Sequence, residues 1–408
     1  MTKIASVKTI LIELFLALGL LFSCSSGKTG NISIYHPDHV QTVSRDSTEN
    51  TDAVSAPIQF DDTAKFISGI PNTSGPLKTL QETESWKNYA DSIAKSWTDL
   101  ETKRLKPMKA WAESELSEAD SNTKLLFYPF SGPDFLTAFL LFPTADTYIL
   151  LGLEPVGNLP EWEKETPSQV GSYLEDIKIA LSDFFKKSYF ITKNMIEALQ
   201  TNKVDGVLAL ICFFLKRADN SISSLKRIEM DDEGNLLETP YETLKKRMKR
   251  PYGIKINFVT NESRNEKTVY YFSCDLSDEK FQEKSKFFAF LNKIQAMTTF
   301  IKSASYILHY RNFSNIRNQI LAKSQFILQD DTGIPYRCFQ EKMWEITLYG
   351  EYAKPVKEFS NLEQPELKAA YQDKSKVKKL TFHLGYHWGS QHDTIMYLKR
   401  KVGNESSH

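Results

Sequence analysis

Residues 146–154 read Asp-Thr-Tyr-Ile-Leu-Leu-Gly-Leu-Glu. The unbroken apolar run Tyr148-Ile149-Leu150-Leu151 leaves no polar side to turn toward water. Such strands are buried on both faces, with other layers packed above and below. Helical patterns supply those layers. Trp86, Ala90, Ile93, Trp97 and Leu100 recur at spacings of four and three, which puts them on one face of a helix. Pro107 is expected to end or kink that helix, because proline lacks a donor and clashes with the preceding turn. Trp111 is expected to open a second short helix.

The rest of the chain alternates in the same way. Residues 125–128 read as a short strand and 135–142 as a short helix. Helical patterns occupy 169–187, 192–200 and 204–217. Residues 225–230 and 236–238 flank Asp231-Asp232-Glu233-Gly234-Asn235, a hairpin signal, and 254–260 with 268–275 form a second one. Residues 280–297 read as an amphipathic helix, with helices continuing to about residue 324. Residues 326–328, 345–349, 379–386 and 394–398 are strand candidates, and 365–372 reads as helix. The expected fold class is α/β or α+β: a mixed sheet with packed helices. Residues 81–402 would form this body, with a subdivision near 220 as an option.

With 408 residues, including 26 Phe and 18 Tyr, the chain can bury a sizeable core without staples. Lys+Arg and Asp+Glu balance at 51 each, so no basic surplus points to nucleic acid. The four cysteines include no CxxC, and no P-loop, dinucleotide fingerprint or HExxH is present. No cofactor or metal site is therefore expected.

The N-terminus carries Lys3 and Lys8 ahead of an apolar stretch from Ile10 to Phe22. That stretch is shorter than the roughly 20 residues needed to span a bilayer, and reads as a secretory signal. Its end, Leu21-Phe22-Ser23-Cys24, resembles the lipobox of bacterial lipoproteins. The resemblance implies cleavage before Cys24 and a lipid, such as palmitate, on that residue. Ser25 and Ser26 follow where an Asp would favour inner-membrane retention, which leans toward the outer membrane. An ordinary cleaved signal with secretion, or a retained helix, are the alternatives. Residues 24–80 are rich in Ser, Thr, Asp and Asn and read as a flexible linker. Cys212, Cys274 and Cys338 remain. Cys212 reads as a buried hydrophobe, and a Cys274–Cys338 pair stays open.

Four loops follow apolar segments and carry candidate chemistry. In Tyr128-Pro-Phe-Ser-Gly-Pro-Asp134, Ser131 is a candidate nucleophile and Asp134 an acid, base or ligand. The bland alternative is a tight turn with Asp134 capping the next helix. Glu154 would emerge at the C-terminal end of the buried strand, where open α/β sheets hold ligands. Asp330 and Asp331 lie in a turn that continues through Gly333 to Arg337; an Asp–Arg surface pair is the alternative there. His383 and His387 are four apart in a segment read as a strand, where they would stand roughly 13 Å apart. That is too far to share a metal unless Gly385 bends the chain. The run 245–250, Lys-Lys-Arg-Met-Lys-Arg, reads as a solvated helix face, with anionic lipid or polysaccharide as the minority reading.

The loops at 128–134 and 329–337 look like those of uncharacterised bacterial envelope proteins, a resemblance that brings no activity with it. Two functions remain open. One is a lipid-anchored binding or structural protein of the envelope, with a protein or saccharide ligand. The other is an envelope hydrolase using Asp134, Glu154 and Asp330 with Ser131 or His387.

Overall fold

The computed structural model describes residues 59–190, 204–244, 252–262, 264–387 and 393–401. Cys24, the expected helix at 192–200 and the basic run at 245–250 lie outside them. The described residues form an α/β layered structure within one compact unit, Ser55–His408. Its eleven strands make one mixed sheet in the order β10-β9-β11-β8-β7-β1-β2-β6-β5-β3-β4.

The centre of the sheet consists of five parallel strands: β8 (Ser324–Gln329), β7 (Met297–Ile301), β1 (Leu125–Tyr128), β2 (Thr147–Gly152) and β6 (Glu266–Ser273). Antiparallel strands extend it on both sides. β5 (Gly253–Thr260), β3 (Asn220–Met230) and β4 (Leu236–Pro240) lie beyond β6. β11 (Thr394–Arg400) and β9 (Trp344–Gly350) lie beyond β8, with the two-residue β10 (Val377–Lys378) at the edge. One sheet thus runs through both sides of residue 220.

The apolar run that opens this account is the middle of that sheet. Successive residues feed opposite layers: Tyr148 and Leu150 join one apolar cluster, Ile149 and Leu151 the other. Neighbouring strands repeat the alternation, with Tyr128, Tyr271 and Phe300 on the first side and Phe127, Phe272 and Ile301 on the second. On the first side pack α1 (Phe60–Ile67), α3 (Glu84–Leu100), α4 (Lys106–Glu115), α6 (Phe135–Leu141), α7 (Pro167–Lys187) and α8 (Leu208–Arg217). On the second pack α9 (Lys286–Lys293), α10 (Ser314–Lys323) and α11 (Pro365–Gln372).

Several expectations change. The linker read to residue 80 overlaps α1 and α2 (Leu77–Gln81); Phe66 and Ile67 are fully buried, so the folded body has begun by Phe60. The α-helix is interrupted ahead of Pro107: α3 ends at Leu100, a π-helical turn spans Glu101–Leu105, and α4 opens at Lys106, earlier than Trp111, with Pro107 in its first turn. The helix read over 280–297 shrinks to α9, capped by Ser285 and ended by an extended Ile294. The helical stretch beyond it contains the central strand β7. The strand read over 379–386 is irregular chain ending in a 3-10 turn, Gly385–His387, because Gly385 takes φ +66 and reverses direction.

Candidate active site

From β1 the chain runs to β2 and then β6 on one side, and returns to β7 and β8 on the other. The order therefore reverses between β1 and β7. In doubly wound sheets the crevice at such a switch point, beyond the carboxyl ends of the strands, is where ligands bind. Three loops leave the sheet there: residues 129–134 after β1, 302–306 after β7 and 330–335 after β8. The start of β11, antiparallel to β8, brings Asp393 to the same end.

Asp134 caps α6 by accepting from the Thr137 N–H at 3.1 Å. Its other oxygen accepts from Tyr128 at 3.1 Å and from Lys302 Nζ at 2.6 Å. The same ammonium donates to the Ser188 carbonyl at 2.6 Å. Next in sequence, the Ser303 N–H donates to Asp330 Oδ2 at 2.8 Å. Asp330 Oδ1 accepts from the Thr332 N–H at 2.9 Å and from the Thr332 hydroxyl. Asp331 accepts from the Tyr306 hydroxyl, and His387 Nε2 stands 3.3 Å from its Oδ1 and 3.4 Å from Oδ2. Only the longer approach has hydrogen-bond direction, so Oδ1 is buried without such a bond among the described residues. His383 Nδ1 pairs with Asp393, which also accepts from the Leu384 N–H at 2.9 Å.

Burial and the neighbouring Asp331 charge push the Asp330 carboxyl up to about 6, against the hydrogen bonds from Thr332 and Ser303. For His387, burial opposes the charged ring. The Asp331 bond and charge, with Asp330 and Asp393, outweigh it and raise the imidazole above its ordinary value. Two groups with raised proton affinity thus meet at the switch point, where perturbed titration is a marker of function.

The backbone adds a second signal. Seven non-glycine residues among those described have positive φ, and five of them are Phe130, Ser188, Ser303, Ser305 and Tyr306. Phe130, Ser303, Ser305 and Tyr306 sit in the switch-point loops, and Ser188 receives Lys302. Each such residue costs about 1–3 kcal/mol, and such strain gathers at sites that use it.

Of the sequence candidates, Asp134, Asp330 and His387 are linked through residues 302–306 and Asp331. Ser131 and Glu154 stand apart. The Ser131 hydroxyl faces the Leu151 carbonyl at 3.1 Å and the Gly132 carbonyl at 3.0 Å, and accepts from the Leu151 N–H at 3.0 Å, a clip between β1 and β2. Glu154 is buried beside Gly152 and Tyr271; burial raises its carboxyl, against bonds from its own backbone and the Tyr271 hydroxyl. The expected surface pair is replaced as well: Asp330 and Asp331 are buried while Arg337 is exposed. Gly385 does bend the chain, yet His383 and His387 bond to different aspartates. Among the described residues no three His, Cys, Asp or Glu side chains form a metal-holding group. Cys212, Cys274 and Cys338 are free, and no described helix is long and apolar enough to cross a membrane.

Lys302, Ser303, Tyr306, Tyr386 and Asp393 were not singled out from sequence. The available signal was Phe300-Ile301 followed by Lys302-Ser-Ala-Ser305, an apolar run ending in small polar residues, hidden by the helical reading of its surroundings.

No protein-family model, no curated protein and no solved structure matches this chain.

Proposed function

We propose that this chain is an exported, lipid-anchored envelope protein whose body performs acid–base hydrolysis in the crevice between β1 and β7. The observation that carries the reading is the meeting of Asp330, Asp331 and His387 at the carboxyl end of β8. Near pH 7, Asp330 with a value of about 6 is largely carboxylate, while the Asp331 bond and charge raise the proton affinity of the His387 imidazole above its ordinary value. The first suits a base that takes a proton from water. The second suits an acid that returns one to the leaving group. Lys302, held by Asp134, fixes the loop from which Ser303 grips Asp330.

The test is a panel of chromogenic esters, phosphodiesters, peptides and glycosides, offered to the full-length protein and to His387→Gln. Turnover of one class, reduced at least about 100-fold in the variant, supports the reading. No turnover of any class, or turnover that His387→Gln leaves intact, contradicts it. The anchor is tested separately: Cys24→Ala should abolish incorporation of labelled palmitate, and continued incorporation would remove the lipobox from the account.

Non-catalytic ligand binding is the second reading. It is favoured by the complete burial of Asp331 and by the Tyr306 hydroxyl bonded to it, since a carboxylate held away from bulk water suits positioning neighbouring groups more than reacting with water. A protein that binds a ligand in the crevice and turns over nothing would be of that kind.

A further inference from the structure

We infer that the ligand of this crevice is a neutral, hydroxyl-rich saccharide, an inference that rests on the acid–base reading of the same site. Three segments remote in sequence place half-buried aromatic rings together at its rim. Tyr189 meets Tyr386 edge-on, with centroids 4.8 Å apart and planes at 90°. Phe359 stacks on the same tyrosine at 5.9 Å and 22°. Phe359 also touches Tyr306, 5.0 Å away, whose hydroxyl bonds Asp331. The aromatic chain therefore leads from the surface to the carboxylates. Ring faces of this kind accept the apolar C–H face of a sugar ring.

The polar atoms beneath the rings narrow the chemistry. Among the described residues, Ser303 Oγ and Asp331 Oδ1 are buried without a hydrogen bond, Oδ1 lying at ion-pair distance from His387. A Cβ on Gly385 would sit 2.8 Å from Asp330 Oδ2 and 2.9 Å from Ser303 Oγ. Gly385 therefore packs directly against these two polar atoms, beneath the turn that carries Tyr386. An unpaired buried polar atom costs about 1–3 kcal/mol, so a ligand group that pairs with either atom is favoured. Asp331 Oδ1 requires a donor. Ser303 Oγ–H requires an acceptor. A sugar hydroxyl is both, whereas an organic cation only donates.

Charge disfavours the remaining class. Asp330, Asp331 and Asp393 all act on His387, and Lys302 is taken by Asp134 and Ser188. Among the described residues three carboxylates surround the His387 imidazole, so the field at the crevice disfavours an anionic ligand.

The experiment is isothermal titration of the full-length protein in detergent with maltohexaose, cellohexaose, mannohexaose and N-acetylated chitohexaose, and with tetraethylammonium as the organic cation. Saturable binding of one oligosaccharide is expected. Phe359→Ala should weaken it at least about tenfold, and Phe359→Trp, which keeps an aromatic face, should restore most of the loss. Ser303→Ala should weaken it several-fold without altering the melting temperature. Absence of binding to all four sugars overturns the inference, as does binding indifferent to both Phe359→Ala and Ser303→Ala, or saturable binding of tetraethylammonium instead. Turnover of an ester or peptide that depends on His387, with no sugar bound, would remove the saccharide and leave the acid–base reading standing.

Discussion

Lys302 Nζ lies 2.6 Å from Asp134 Oδ2, and each side chain is only 2% exposed. The pair ties the end of β7 to the first turn of α6 across the switch point. Desolvating two charges is expensive, so the pair itself adds little net stability, but breaking it leaves a buried charge unmatched. Lys302→Met is expected to destabilise the protein by about 3–5 kcal/mol in denaturant melts. Asp134→Asn/Lys302→Met should recover a substantial part of that loss. Equal cost in the single and double variants would show that the two charges are not coupled.

How far the sequence revealed this arrangement depended on what kind of signal each part left. Leu125–Tyr128 and Thr147–Gly152 were legible because continuous apolar runs have few other solutions. Pro365–Gln372 was legible from its N-terminal proline and helical period. Met297–Ile301 was not, although it pairs with β1 at the centre of the sheet. Its Thr298 and Thr299 look like surface residues. In the fold each meets another buried hydroxyl, Thr298 that of Thr123 at 2.6 Å and Thr299 that of Ser324 at 2.7 Å. Partners 175 and 25 residues away leave no local trace. The site shows the same division. Asp330, Asp134 and His387 stood out as punctuation after apolar runs. Asp393 and Tyr386 acquire their roles only when β11 returns beside β8.

Gly385 is required by its conformation and by its neighbours. Its φ is +66, and an added Cβ would press on Asp330 Oδ2 and Ser303 Oγ. Gly385→Ala is expected to cost about 2 kcal/mol or more, from the left-handed backbone and the displaced carboxylate together. Thermal melting measures the cost. The same variant should weaken whatever function depends on Asp330. A melting temperature equal to that of the parent would show that the turn tolerates the methyl.

Asp330 should make stability fall as pH rises across a defined window. Its folded-state value of about 6 exceeds the ordinary carboxyl value, so the folded protein holds this proton where the unfolded chain has released it. The penalty for the buried carboxylate starts near the unfolded value of about 3.9 and is complete above about 6. Asp330→Asn removes the titration. The difference in unfolding free energy between parent and variant, followed by denaturant melts at several pH values, should therefore move in the variant's favour between those limits. A difference independent of pH would show that Asp330 titrates as an ordinary carboxyl. His387 acts in the opposite part of the range. Its raised value contributes stability fully present below the unfolded value of about 6.5 and lost as pH rises through the folded value.

The central claim is that Asp331 raises the proton affinity of His387 in the crevice. Nuclear magnetic resonance titration of the His387 imidazole, identified by its loss in His387→Gln, tests it most directly. The account predicts a midpoint above about 6.5 in the parent protein and a fall of a unit or more in Asp331→Asn, where burial acts without the compensating charge. A midpoint at or below about 6.5 in the parent, unchanged in Asp331→Asn, would contradict it.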